Sequence, residues 1–356
     1  VINDEKMEKQ IHLPTEPKYS QAWHKYNLAK TNEKRLFIEL LHDLTKVITE
    51  EKYQFGRPPL SLRDLVFCSG LKLYSNYSGR KAMSDYRMSM YSGYITKIPH
   101  FNSIKDFLNC PATYDLLSKL LTISAIPLKK MEDQYSLDSS VFGTYTRERW
   151  NRVKWGKNVN FKNYLKGHIL IGTRTNIICE AEITPGNFAD VKQAPNLILR
   201  ASKNFNIKEF SADKAYSSKL IHRILYSLGA MPYIPFKYTT KEPNENNPEI
   251  WNKCFLLFRD KKEDWDKHYH KRSNVETCFA MIKRRFGEYL LSKNYTAQRN
   301  ELMIKFICHN ICCLIEEIYE KNIEVDFQKT NLLFVERKVD LLPNDRDASE
   351  VKDEDY

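Results

Sequence analysis

From about Glu132 the apolar residues change their period, and this change confines the chain to an all-helical region followed by a mixed α/β region. Ahead of it, residues 32–53 place Leu36, Leu40, Leu41, Leu44, Val47 and Ile48 at mostly three- and four-residue spacing without Pro or Gly, which predicts a helix. Ser61 with Asp64 can open a second helix through Tyr74, a third runs from Ser78 or Gly79 to Tyr91, and Asn102 and Thr113 offer caps for two more. Pro127 and the Lys129-Lys130 pair mark the boundary. Beyond it, residues 134–141 suit a strand, and 167–172 pair with 177–184 across a polar turn as a hairpin. A helix (190–204), a strand (209–213), a helix (217–228) and a strand (231–236) follow. After a polar and charged insertion at 237–266 come a long helix that includes Glu276 and a closing helix at 301–320. The early hairpin must be antiparallel and the helix-linked strands are free to be parallel, so a mixed sheet flanked by helices is expected. The division is 1–126 helical, 127–320 α/β, and 321–356 an extension whose last residues are acidic.

Charge points to a polyanionic partner. Of 356 residues, 56 are Lys or Arg against 45 Asp or Glu, a net charge of +11. Between 147 and 174 the cations Arg147, Arg149, Arg152, Lys154, Lys157, Lys162, Lys166 and Arg174 face Glu148 alone, with Trp150, Trp155, Phe161 and Tyr164 among them. That mixture suits a phosphate backbone with aromatic contacts to bases or sugars. In the helical region Arg57, within Gly56-Arg57-Pro58-Pro59, and Arg80, Lys81 and Arg87 supply further cations. Those helices suit a DNA reader and a packing domain equally well. No run approaches the roughly 18 apolar residues of a membrane span, and the N-terminus lacks a secretory apolar stretch, so a cell-interior protein is expected. The eight cysteines form no C-x-x-C pair and read as reduced, mostly buried thiols, those at 308, 312 and 313 and the adjacent His309 as helix packing rather than metal ligands. Neither G-x-G-x-x-G nor G-x-x-x-x-G-K-[ST] occurs.

Three carboxylates stand out. Asp138 lies in the first strand and Asp213 ends a later one; each is also an ordinary strand or turn residue when taken singly. Tyr269, Arg272, Glu276 and Lys283 fall within roughly a 60° arc on one helix, while Val275, Cys278, Phe279, Ile282 and Phe286 take its other side. Such a row offers a metal-binding acid, two phosphate-pairing cations and a phenol. The same stretch, Ser273-Asn-Val-Glu276, also fits a capping box, which would start the helix at Ser273 and leave Tyr269 and Arg272 outside it.

The spacing Tyr269-x2-Arg272-x3-Glu276-x6-Lys283 resembles the Tyr-Arg-Glu-Lys signature of DDE-class insertion-sequence transposases. Leu137-Asp138-Ser139-Ser140 is similar to that family's first-Asp strand. Phe210-Ser-Ala-Asp-Lys-Ala-Tyr216 is similar to its second-Asp segment, with Ala215 where Gly is usual. Thr184-Pro-Gly-Asn187 with Asp190 resembles its linking segment. The resemblance implies a ribonuclease-H-like catalytic domain in which Asp138, Asp213 and Glu276 bind two Mg²⁺ ions, with Mn²⁺ able to substitute. Arg272 and Lys283 would hold phosphates and Tyr269 a nucleotide. Arg147, Arg149, Arg152, Lys154 and Lys157 would follow the duplex, and residues 1–126, with Arg57 and Arg80, would recognise terminal inverted repeats. The implied enzyme cleaves element ends and joins them to target DNA, as a homodimer on double-stranded DNA, in the cytoplasm with the nucleoid and away from membranes. A DNA-binding derivative without activity and a structure-specific nuclease are the competing readings.

Overall fold

The computed structural model describes residues 22–50, 60–144 and 164–329. Five helices come first: α1 (Trp23–Thr45), α2 (Leu62–Tyr74), α3 (Ala82–Tyr91), α4 (Phe101–Asn109) and α5 (Thr113–Ala125). Helix α1 buries Ala29, Phe37, Leu40, Leu41 and Leu44, the stripe its spacing predicts, but it starts nine residues before the expected 32 and ends at Thr45. The early turns are held by distant partners: Lys25 Nζ donates to the Glu320 carbonyl at 3.1 Å, and Lys30 pairs with Glu316. Ser61 caps α2 as expected, its hydroxyl accepting from the Asp64 N–H. Asn102 and Thr113 do not cap: His100 accepts from the Asn102 N–H at the start of α4, and the Thr113 hydroxyl donates to the Phe107 carbonyl. The buried Asp64 carboxylate accepts from both the Thr96 and Lys97 N–H groups, fixing the chain that leaves α3.

The sheet has six strands in the order β3-β2-β1-β4-β5, with β6 beside the end of β1. They are β1 (Gln134–Thr144), β2 (Tyr164–Gly172), β3 (Ile178–Pro185), β4 (Glu209–Ala212), β5 (Met231–Tyr233) and β6 (Tyr289–Leu290). The β1–β2 and β2–β3 pairs are antiparallel; β1–β4 and β4–β5 are parallel, so the expected mixed sheet is present. Helices α6 (Ala194–Ser202) and α7 (Lys219–Ser227) link the parallel strands. The expected helix at 190–204 begins as a 3-10 turn at Asp190–Lys192 because Pro195 resets the chain at the start of α6, and the last expected strand stops at Tyr233. The insertion is helical, with α8 (Glu249–Asp260) and α9 (Lys262–Tyr269). It has a small core of its own in Phe236, Ile250, Trp251 and Cys254.

A 3-10 turn at His270–Arg272 joins α9 to α10 (Ser273–Phe286), and α11 (Tyr295–Lys321) closes the described fold. The long helix expected around Glu276 is therefore two helices with a tightened turn between them. Gly287, at φ +78°, ends α10 in a conformation that only glycine adopts readily. Helix α11 starts at Tyr295, not 301, because the Asn294 side chain accepts from the Ala297 N–H. It is buried nearly all round, and its Asn310 side chain bonds the Ile178 N–H and C=O of edge strand β3 and the Ser124 hydroxyl of α5. That contact covers a sheet edge while joining it to the helical region. One contiguous core runs from Phe37 and Leu71 through Leu120 and Leu137 to Phe306.

Candidate active site

Strands β1 and β4 run parallel in the register Leu137↔Ala212, so the next residues, Asp138 and Asp213, leave the ladder side by side. The strands are further tied where the Ser136 hydroxyl donates to the Ser211 carbonyl at 3.2 Å. Asp138 Oδ1 accepts from the Ser139 N–H at 2.8 Å, and Asp213 Oδ1 from the Lys214 N–H at 2.6 Å, capping a 3-10 turn at Lys214–Tyr216. Helix α10 crosses the same face of β1. Its start is anchored by Asn274 Nδ2 on the Thr173 carbonyl at 2.6 Å, and its far end by Lys283 Nζ on the Ser140 hydroxyl at 2.8 Å.

Between these elements lies the Arg272 guanidinium. It donates to Glu276 Oε1 at 2.5 Å and to Asp138 Oδ2 at 3.3 Å, which keeps those two oxygens no more than about 8 Å apart, given the fixed span of a guanidinium. Burial pushes the Asp138 carboxyl above its ordinary range. The Ser139 N–H and Arg272 pull it back, and the charges of Asp213 and Glu276 push it up again. All three acids are thus electrically coupled near the middle of β1. Burial opposes the Arg272 charge, but its bond to Glu276 and the charge of Asp138 outweigh that and raise its pKa. Tyr269 stacks on buried Trp265 with ring centroids 4.6 Å apart, and burial raises its hydroxyl pKa.

The capping box does not form. Ser273 donates to the His270 carbonyl and Glu276 accepts from Arg272, whose backbone is helical at φ −57° and ψ −33°. The 3-10 turn keeps Tyr269 and Arg272 winding with α10, so a polar row persists across the break. Three oxygen donors of this kind suit a hard divalent cation. Among the described residues no three His, Cys, Asp or Glu side chains stand at ligand distance from one point, and Arg272 fills the gap between two of the acids.

Arg80 is exposed on the approach to α3, its guanidinium 5.5 Å from the Phe101 ring centroid. Arg57, Arg147, Arg149, Arg152, Lys154 and Lys157 lie outside the described residues. His168 is fully buried, its Nε2 2.9 Å from the Thr184 hydroxyl, and burial drives its pKa down to about 4, so its role is structural. His309 and Cys308, Cys312 and Cys313 are buried in α11, as packing predicts. Sequence reasoning did not find Trp265 beneath Tyr269, nor the buried pair Glu301 and Lys305 that holds the chain after α10. Two charges four residues apart on an otherwise apolar helix were the available signal for that pair.

The family described as the transposase DDE domain matches residues 129–311, just over half of the chain, and spans β1, β4 and α10 together with the acids they carry. The chain belongs to that family. No curated protein and no solved structure matches it.

Proposed function

We propose that the protein cuts DNA at the ends of a mobile element and joins those ends to target DNA by metal-dependent phosphoryl transfer. One observation carries this reading: in a chain of the transposase DDE family, Asp138 within β1 and Asp213 just past the parallel neighbour β4 lie beside a helix whose Glu276 shares Arg272 with Asp138. The strand order, with three antiparallel strands followed by two parallel ones, supports a ribonuclease-H-like domain. Asp138, Asp213 and Glu276 would hold Mg²⁺, with Mn²⁺ as a substitute. When bound, a pair of such ions activates the attacking water or 3′-hydroxyl and stabilises the leaving oxygen.

The chain's own residues do the rest. Arg272 exchanges its two carboxylates for phosphate oxygens, which its planar fork pairs equally well. Lys283, beside Ser140 and over the Phe142 ring at 5.3 Å, holds a second phosphate. Tyr269, fixed by Trp265, packs against a nucleotide, completing the Tyr-Arg-Glu-Lys set. Arg147, Arg149, Arg152, Lys154 and Lys157 follow the duplex, and residues 1–126, with Arg57 and Arg80, read the terminal repeats. Two copies act together on paired ends in the nucleoid.

Incubation with duplexes carrying the inverted repeats that flank the gene, with Mg²⁺, tests the proposal. Cleavage and joining that vanish in Asp213→Ala support it. Cleavage without joining indicates a nuclease, and tight metal-independent binding without either indicates a regulator.

A further inference from the structure

Where β1 and β4 begin, before β1 reaches Asp138 at its middle, the surface folds into an open cavity of about 360 Å³. Its walls include Lys129, Lys130, Asp133, Arg174, Asn204 and Lys208. Arg174 and Lys208 share Asp133, at 2.9 Å and 3.6 Å, so one carboxylate serves two cations. Lys129 and Lys130 are exposed on the rim and form no ion pair among the described residues. The other acid of the wall, Glu132, is buried and turned inward, accepting from the Arg174 and Thr175 N–H groups. Four cations therefore face solvent against one shared carboxylate, with the Asn204 amide beside them. Arg174 is also the last cation of the aromatic-rich basic stretch read from the sequence.

This cavity is joined to the acids by a line of charge. Arg272 touches Asp138; its neighbour Lys271 is 3.7 Å from Glu209; Glu209 adjoins Lys208; and Lys208 opens into the cavity. The His268 Nδ1 also lies 2.9 Å from the Glu209 carboxylate, further occupying that acid. Five residue steps lead from Asp133, just before β1, to Asp138 within it, a span of about 17 Å in extended chain. That is about five base-pair steps, or half a helical turn, so a duplex lying along this line with one strand at Asp138 presents the other strand to the cavity.

We infer that this cavity is a second phosphate site, which grips the backbone of double-stranded DNA about half a turn from the bond that is cut. The inference rests on the proposed DNA phosphoryl transfer, and it adds a contact far from the chemistry. Lys129 and Lys130 supply free ammonium groups to non-bridging phosphate oxygens, while Arg174 and Lys208 redirect part of their charge from Asp133. Such contacts give affinity and register without reading bases.

The test is a salt titration of duplex binding by the full chain without divalent ions, followed by fluorescence anisotropy. Each lost phosphate contact makes the slope of log K against log salt less steep by about 0.9, so Lys129→Ala/Lys130→Ala is expected to lower it by about 1.8. Lys219→Ala/Arg223→Ala, which removes the same charge from exposed positions on α7, should leave the slope close to wild type. The difference should vanish on duplexes too short to reach half a turn beyond the cut. An unchanged slope, or the same change in the α7 control, overturns the inference. So does an unchanged duplex affinity combined with inorganic phosphate binding that the Lys129/Lys130 variant loses, which would make the cavity a free-anion site. Asp213→Asn in the same assay should bind with the wild-type slope, and when Mg²⁺ is then added it should leave uncut the duplex that the wild type cuts. A wild-type chain that binds no duplex would instead remove the transposase reading beneath it.

Discussion

Replacing Lys305 by Met should loosen the chain segment that follows the Glu276 helix. Lys305 is 1% exposed, and its ammonium donates to the Gly287 and Tyr289 carbonyls at 3.0 Å and 2.8 Å. Glu301, one turn earlier and equally buried, accepts from the Leu291 and Ser292 N–H groups. Together the two side chains hold residues 287–292, including β6, against α11. Burial lowers the Lys305 pKa and the Glu301 charge opposes that fall, so the pair is mutually dependent. Their charged atoms are 3.9 Å apart, an attraction of about 4 kcal/mol at an effective dielectric of about 20. Removing one partner of a buried pair costs about 3–5 kcal/mol; since Glu301 keeps its two N–H donors, about 3 kcal/mol is expected. Urea unfolding followed by tryptophan fluorescence measures this, and a double-mutant cycle with Glu301→Gln should give a coupling of about 1–3 kcal/mol. A Lys305→Met cost below about 1 kcal/mol, or no coupling, would refute the reasoning.

Three further outcomes follow from the same structure. Burial holds the Glu317 carboxyl at about 7 against an ordinary 4.5, so the folded protein keeps a proton that the unfolded chain releases between those values. Its contribution is complete below pH 4.5 and is lost as pH rises to about 7, a change of about 3 kcal/mol that Glu317→Gln should remove from the pH dependence of the urea midpoint. Gly172→Ala would drive a methyl group into the Glu132 side chain that caps the β2–β3 turn, and should cost about 1–3 kcal/mol in the same unfolding measurement. Arg272→Lys keeps the charge but loses the fork that spans Asp138 and Glu276; single-turnover cleavage should fall by about 10²-fold or more while duplex affinity changes little.

Local pattern carried much of the architecture. The hairpin, the helix-linked strands and the capped start of α2 are written in period and turn chemistry, and Asp138 and Asp213 stood at strand positions where their parallel register brings them together. What was not legible depended on partners far away in sequence. The first turns of α1 rest on Glu316 and Glu320, and the charged stretch of α9 is fastened by Trp265 packing against Tyr269 and Phe258. The break at His270–Arg272 was hidden for a different reason: a 3-10 turn tightens the helix without the Gly or Pro that usually announces an interruption. Arg272 as the bridge between two acids could be read only once α10 lay across β1.

The central claim is that Asp138, Asp213 and Glu276 share divalent ions, and iron-directed backbone cleavage tests it most directly. Fe²⁺ in place of Mg²⁺, with ascorbate and peroxide, should cut the chain next to those three residues and nowhere else with comparable yield. Asp213→Asn should abolish all three cuts together. Cuts clustered at another site, or cuts at 138 and 276 that persist in the Asp213→Asn protein, would contradict it.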